Sequence, residues 1–166
     1  MNRHVNAISG RLSLRPSQRT SLEILQRITE IAPPGKETDT AALLVAIQSE
    51  FATVTDFERE FPSLCFALAT GVGKTRLMGA FISYLYLDHG IANYFVLAPN
   101  LTIYNKLIAD FTPNTPKYVF KGIAEFAVHP PTVVTGDTYE SGVGVREAYR
   151  QQGSLFPELD GVHINI

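Results

Sequence analysis

Tryptophan is absent from this chain of 166 residues, which also holds one cysteine and two methionines. The lone Cys65 has no partner for an internal disulfide, so packing must hold the fold, and a reducing cytosol suits it. Charge is sparse as well: 18% of residues are charged and the formal net charge is −2. No bulk basic field exists, and any contact with a polyanion must come from local groups on one face. No segment approaches the roughly 18 apolar residues needed to cross a bilayer. Met1-Asn2-Arg3-His4 leads into no apolar run of the secretory kind. His4, His89, His129 and His163 are scattered without metal-ligand spacing, and no metal is assigned to them. The expectation is a soluble cytoplasmic protein. At 45% apolar residues the chain has too much to bury for a disordered tail, and its length suits one domain.

Along the chain, residues 1–13 show no clear period and are expected to form a loose lead-in. Leu22, Leu25, Ile28 and Ile31 then repeat at helical spacing, with Pro16 near the start and Pro33-Pro34-Gly35 beyond the end. A second helix is expected from Ala41 to Phe51, capped by Asp39 or Thr40, with Leu43, Leu44, Ile47 and Phe51 as its buried stripe. Ser63–Leu68 is a short apolar run of the kind found in a central strand buried on both faces, with Cys65 as a small buried filler. Helical spacing resumes through Leu77, Phe81 and Leu85 and stops at Gly90, a natural C-cap. Tyr94–Ala98 reads as a second buried strand and Leu101–Phe111 as a helix. Tyr118–Phe120 and Thr132–Thr135 are short strand candidates, Arg146–Gln152 is a helix candidate, and Val162–Ile166 alternates like the start of a strand. Tyr94, Tyr104 and Phe111 are expected in the core. Strands alternating with helices point to a parallel α/β sheet.

Between the first strand and its helix lies Ala69-Thr70-Gly71-Val72-Gly73-Lys74-Thr75. A triphosphate carries several negative charges that must be met without bulky side chains. Glycines let the backbone curl so that successive N–H groups turn inward, and the following helix adds its positive end. In that role Gly71 and Gly73 permit the curl, Lys74 reaches the β- and γ-phosphates, and the Thr75 hydroxyl is a ligand of Mg²⁺. Thr70, Val72 and Arg76 complete the candidate ATP-binding loop. Leu68 stands where the general pattern has a further glycine.

Ala69–Met78 followed by Phe95–Asn100 resembles superfamily 2 DEAD/DEAH-box helicase-like ATPases, most closely the Res subunit of type III restriction enzymes. Such motors relax the position held by Leu68. Leu14-Arg15-Pro16-Ser17-Gln18 is similar to the family's adenine-sensing segment, in which the glutamine amide can both donate to and accept from the base; the same residues also suit an ordinary helix start. Ala98-Pro99-Asn100-Leu101 resembles motif Ia and Thr135-Gly136-Asp137 motif Ib, which hold the phosphate backbone of the tracked strand. Taken alone, the first is a strand stop and the second a turn. Lys106, Lys117 and Lys121 could touch phosphates or simply face solvent.

The resemblance implies a P-loop NTPase (RecA-like) lobe, a parallel sheet with helices on both faces. Residues 1–13 are its lead-in, 14–62 a helical segment with the adenine-sensing motif, and 63–166 the first motor lobe. It also implies hydrolysis of ATP with Mg²⁺ coupled to movement on double-stranded DNA. Expected partners are a second motor lobe and a methyltransferase or specificity subunit. The family's acidic (Walker B) strand end has no counterpart: Glu158 and Asp160 straddle Leu159 in a Pro- and Gly-flanked loop. The sheet is therefore expected to be incomplete on its C-terminal side, and the fragment alone to bind ATP without turning it over. A nucleotide-binding module or remnant without motor activity is the alternative. A small-molecule kinase would need neither Gln18 ahead of the loop nor Pro99-Asn100 after the second strand.

Overall fold

The computed structural model describes residues 2–35, 39–140 and 161–166. The expected helix at Arg146–Gln152 and the loop with Glu158 and Asp160 lie outside the described residues.

The first correction comes at the N-terminus. Residues Arg3–Arg11 form a helix, α1, rather than a loose lead-in. Asn2 caps it, its side-chain oxygen accepting from His4 N at 2.8 Å and Val5 N at 3.3 Å. Val5, Ile8 and Leu12 stand at helical spacing and are buried. Three apolar residues among polar ones were too few to reveal the period. α2 (Pro16–Ile31) and α3 (Thr40–Gln48) follow, the latter capped by Asp39, which accepts from Ala41 N and Ala42 N. Of the stripe expected on α3 only Ile47 is fully buried; Leu43, Leu44 and Phe51 pack partly exposed around Ile28, Ala32 and Phe57.

α4 (Lys74–His89) is the central element. Leu77, Gly79, Ala80, Ile82, Ser83 and Tyr84 are buried on several of its sides, as befits a helix enclosed by others. α1 and α2 both pack on it. Gly90 ends it at φ +67, its N–H bonding Tyr86 O at 2.9 Å while Ile91 N bonds Leu85 O at 3.1 Å; paired bonds over a left-handed glycine are a Schellman-type stop.

β1 (Asn93–Phe95), α5 (Leu101–Phe111), α6 (Ala124–Val128), β2 (Thr132–Val134), α7 (Gly136–Glu140) and β3 (His163–Asn165) complete the described elements. The sheet is parallel, in the order β1-β3-β2, with Tyr94 and Val133 both opposite Ile164. The last strand in sequence is thus the central one, and Ile164 is fully buried. The core joins α1, α2, α4, α5 and β3, and Phe120 lies 4.7 Å from Phe126 and 5.6 Å from Phe111 between ring centroids.

Three strand expectations need correcting. Ser63–Leu68 has no ladder partner among the described residues, and Cys65 is exposed rather than a buried filler. The second strand stops at Phe95, and Phe95 and Leu97 are 74% and 79% exposed. Tyr118–Phe120 forms turns, with Val119 and Phe120 buried in the core. Apolar runs report a preference for burial; a strand also needs hydrogen-bonding neighbours, which the run itself does not specify.

Candidate nucleotide-binding site

The loop before α4 is curled by two glycines in the left-handed region, Gly71 at φ +81 and Gly73 at φ +93, a conformation that disfavours side chains. Its back is held by the start of α2. Arg15 Nη1 donates to Gly71 O at 3.1 Å. Gln18 Nε2 donates to Val72 O at 3.0 Å and Gly73 O at 2.9 Å. In a trans peptide the N–H points opposite to the C=O of the same unit. Three carbonyls turned toward α2 therefore leave the amides of Val72, Gly73 and Lys74 turned away from it, at the positive end of a 16-residue helix.

That arrangement fits the phosphates of a nucleotide. Lys74 is exposed, and its Nζ donates to Ala69 O at 3.1 Å, folded back across the mouth of the loop. An ammonium with one neutral acceptor gains from exchanging it for a phosphoryl oxygen. The Thr75 hydroxyl, in the first turn of α4, could supply one oxygen to a divalent ion, with phosphate and water completing the shell. It accepts from Lys106 Nζ at 3.2 Å. No group of three or more acidic, His or Cys side chains suited to hold a metal occurs among the described residues.

Gln18 was expected on the base of the nucleotide. It is 2% exposed, and its Oε1 accepts from Arg15 N at 2.8 Å while its nitrogen serves the loop. Arg76 Nη1 donates to Leu12 O at 3.1 Å, tying the first turn of α4 to the end of α1. Beside Thr75 and Arg76 a cleft of about 750 Å³ opens, lined by Arg11, Lys106, Lys117 and Lys121, with Asp110 its one carboxylate among the described residues. The three lysines read from the sequence as either phosphate contacts or solvated groups therefore line one cleft. Asp110 was missed, although its spacing from Lys106, four residues on one helix, is readable.

Pro99-Asn100 follows β1 and Thr135-Gly136 follows β2, so parallel strands send both segments off from the same carboxyl end of the sheet. The strands that lead to them, β1 and β2, lie about 10 Å apart with β3 between. Both segments also have structural work. Asn100 caps α5, its side chain accepting from Ile103 N at 3.0 Å. Thr135 N bonds Thr138 Oγ1 at 2.7 Å and Thr138 N bonds Thr135 Oγ1 at 3.3 Å, a reciprocal cap on α7.

A family model described as "Type III restriction enzyme, res subunit" matches residues 11–148. The matched span takes in the loop, α4, α5 and both strand-end segments. No curated protein and no solved structure matches the chain.

Proposed function

The chain belongs to the type III restriction enzyme res-subunit family, and from that premise we propose that it is the ATP-binding part of a DNA translocase motor with a RecA-like lobe. The carrying observation is the loop held from behind by Arg15 and Gln18 with its amides turned outward. In this reading the amides of Val72, Gly73 and Lys74 cradle the phosphates, and Lys74 neutralises the β- and γ-phosphates. Thr75 offers its hydroxyl to Mg²⁺, which when bound supplies charge neutralisation. Thr70 and Arg76 flank the phosphates, Arg15 lies on the base side, and the buried Gln18 acts through the loop that it braces. Pro99, Asn100, Thr135 and Gly136 contact the backbone of a DNA strand, consistent with their following the carboxyl ends of parallel strands, where open α/β sheets place ligands. A second lobe closes on the nucleotide and supplies an arginine finger. A methyltransferase or specificity subunit selects the DNA, and the assembly works in the cytoplasm.

The alternative is a nucleotide-binding module without motor activity. It is favoured by the pairing of Asp110, the only carboxylate lining the cleft among the described residues, with Lys106, which leaves that carboxylate occupied. The two readings separate on DNA. Asn100→Asp keeps an acceptor for Ile103 N and so preserves the cap, while placing a negative charge where a phosphate would sit. The motor reading expects duplex DNA to bind with a salt-dependent affinity that falls about tenfold in Asn100→Asp. Nucleotide binding without any DNA binding sensitive to Asn100 favours the plain module.

A further inference from the structure

Lys106 occupies an unusual position for a half-exposed surface lysine. It sits midway along α5, yet its ammonium reaches the hydroxyl of Thr75 in the first turn of α4, at 3.2 Å. The same nitrogen bonds the carboxylate of Asp110 one turn on. Asp110 is only 4% exposed, and a carboxylate at that depth requires a cation beside it. Its backbone is pinned as well: Asp110 O accepts from Val119 N at 2.9 Å. The ammonium is therefore held by a fixed anion against the oxygen that the phosphate-binding reading assigns to a divalent ion.

We propose that Lys106 is a resident cation of the loop, occupying Thr75 Oγ1 until nucleotide arrives and competing with Mg²⁺ for it. The proposal rests on the nucleotide reading of the loop and adds a determinant of metal dependence to it. A hydroxyl oxygen facing a divalent ion at bonding distance cannot keep an ammonium at hydrogen-bond distance without strong like-charge repulsion. Lys106 must swing off Thr75 when the ion binds. Asp110 keeps it within reach, so the ammonium is displaced toward the carboxylate or the phosphates rather than lost to solvent. Arg76, Lys117 and Lys121 line the same cleft and contribute a general positive potential. Among the described residues Thr75 Oγ1 has its side-chain bond from Lys106 and Arg76 is turned to Leu12 O, so Lys106 is the specific competitor.

The test is a Mg²⁺ titration of the binding of a non-hydrolysable ATP analogue, followed by calorimetry on the whole chain. Lys106→Gln and Lys106→Met remove the charge, the first keeping a donor for Asp110. Both are expected to lower the Mg²⁺ concentration needed for half-maximal tightening by about three- to tenfold, with no gain in metal-free nucleotide affinity. Lys106→Arg keeps the cation and is expected to restore the wild-type Mg²⁺ dependence. A purely structural role would alter melting temperature in all three and leave the metal dependence unmoved. Unchanged Mg²⁺ dependence in both neutral variants overturns this inference alone. Failure of the wild-type chain to bind the analogue at any Mg²⁺ concentration overturns the nucleotide reading, and this proposal with it.

Discussion

Gln18 Nε2 lies 2.9 Å from Gly73 O, and it is also the atom that a Cβ at Gly73 would strike, at 2.7 Å. The two residues are 55 positions apart, so the phosphate-binding curl depends on a helix supplied well before it in the chain.

Gln18→Ala is therefore expected to damage the site without removing any group proposed to touch phosphate. Val72 O loses its side-chain partner, whereas Gly73 O keeps Leu77 N at 3.2 Å. Fold stability should fall by about 1–3 kcal/mol, the range for a buried polar group left unpaired. ATP affinity should fall about tenfold as the loop loses its brace. Thermal melting with nucleotide titration reads both, and an unchanged affinity counts against the bracing role.

Gly73→Ala and Gly90→Ala form a matched pair. Both glycines have positive φ, +93 and +67, but a Cβ at Gly90 meets nothing within 4 Å. Each substitution costs about 1–2 kcal/mol of backbone strain. Only Gly73→Ala also pushes on Gln18, so only it should abolish nucleotide binding while Gly90→Ala binds normally. Equal effects on binding would show that the loop geometry is not what matters.

A second pair concerns packing. A Cβ on Gly79 would fall 2.9 Å from Val119 Cβ and 3.3 Å from its carbonyl oxygen, while one on Gly10 meets nothing within 4 Å. Alanine gains up to about 1 kcal/mol over glycine inside a helix. At Gly10 that gain stands, and Gly10→Ala should raise the melting temperature. At Gly79 overpacking of about 1–3 kcal/mol exceeds it, so Gly79→Ala should lower it. Denaturant unfolding of both variants decides the signs.

Tyr84 is fully buried, with its hydroxyl 3.0 Å from Thr29 Oγ1 and 3.1 Å from Asp88 Oδ2. Thr29 keeps Gln26 O and Asp88 keeps Asn2, so Tyr84→Phe orphans neither and should cost only about 1 kcal/mol. Burial first, partly offset by the Thr29 bond and aided by Asp88, pushes the phenol up to about 12 from its ordinary 10. Above pH 10 the unfolded chain releases a proton that the folded chain retains. Stability is thus full below 10 and declines as pH rises toward 12. Burial raises Tyr118 to about 12 as well, so Tyr84→Phe should flatten the alkaline decline in part. An identical pH profile for variant and wild type would refute the assignment.

Elements whose signals are local were legible in the sequence. α5 spans Leu101–Phe111 as expected, α4 stops at Gly90, and the alternating residues around Ile164 form a strand. Contacts distant in the chain were not legible. Ser63–Leu68 has the apolar character of a strand, but pairing depends on neighbours elsewhere. α1 hid its stripe of Val5, Ile8 and Leu12 among polar residues. At the site, the loop's residue types could be read directly, whereas the hold of Gln18 on Val72 and of Lys106 on Thr75 required the fold.

The central claim is that the outward amides of the loop and the Lys74 ammonium together receive a nucleotide's phosphates. Calorimetric titration of ATP with Mg²⁺ into the wild-type chain and Lys74→Ala measures it most directly. The Lys74 side chain is exposed and, among the described residues, bonds only Ala69 O, so its removal should leave the fold intact. The account predicts saturable wild-type binding that weakens at least about tenfold in Lys74→Ala, the scale of a charge-assisted bond. Equal binding by the two proteins, or none by the wild type, would contradict it.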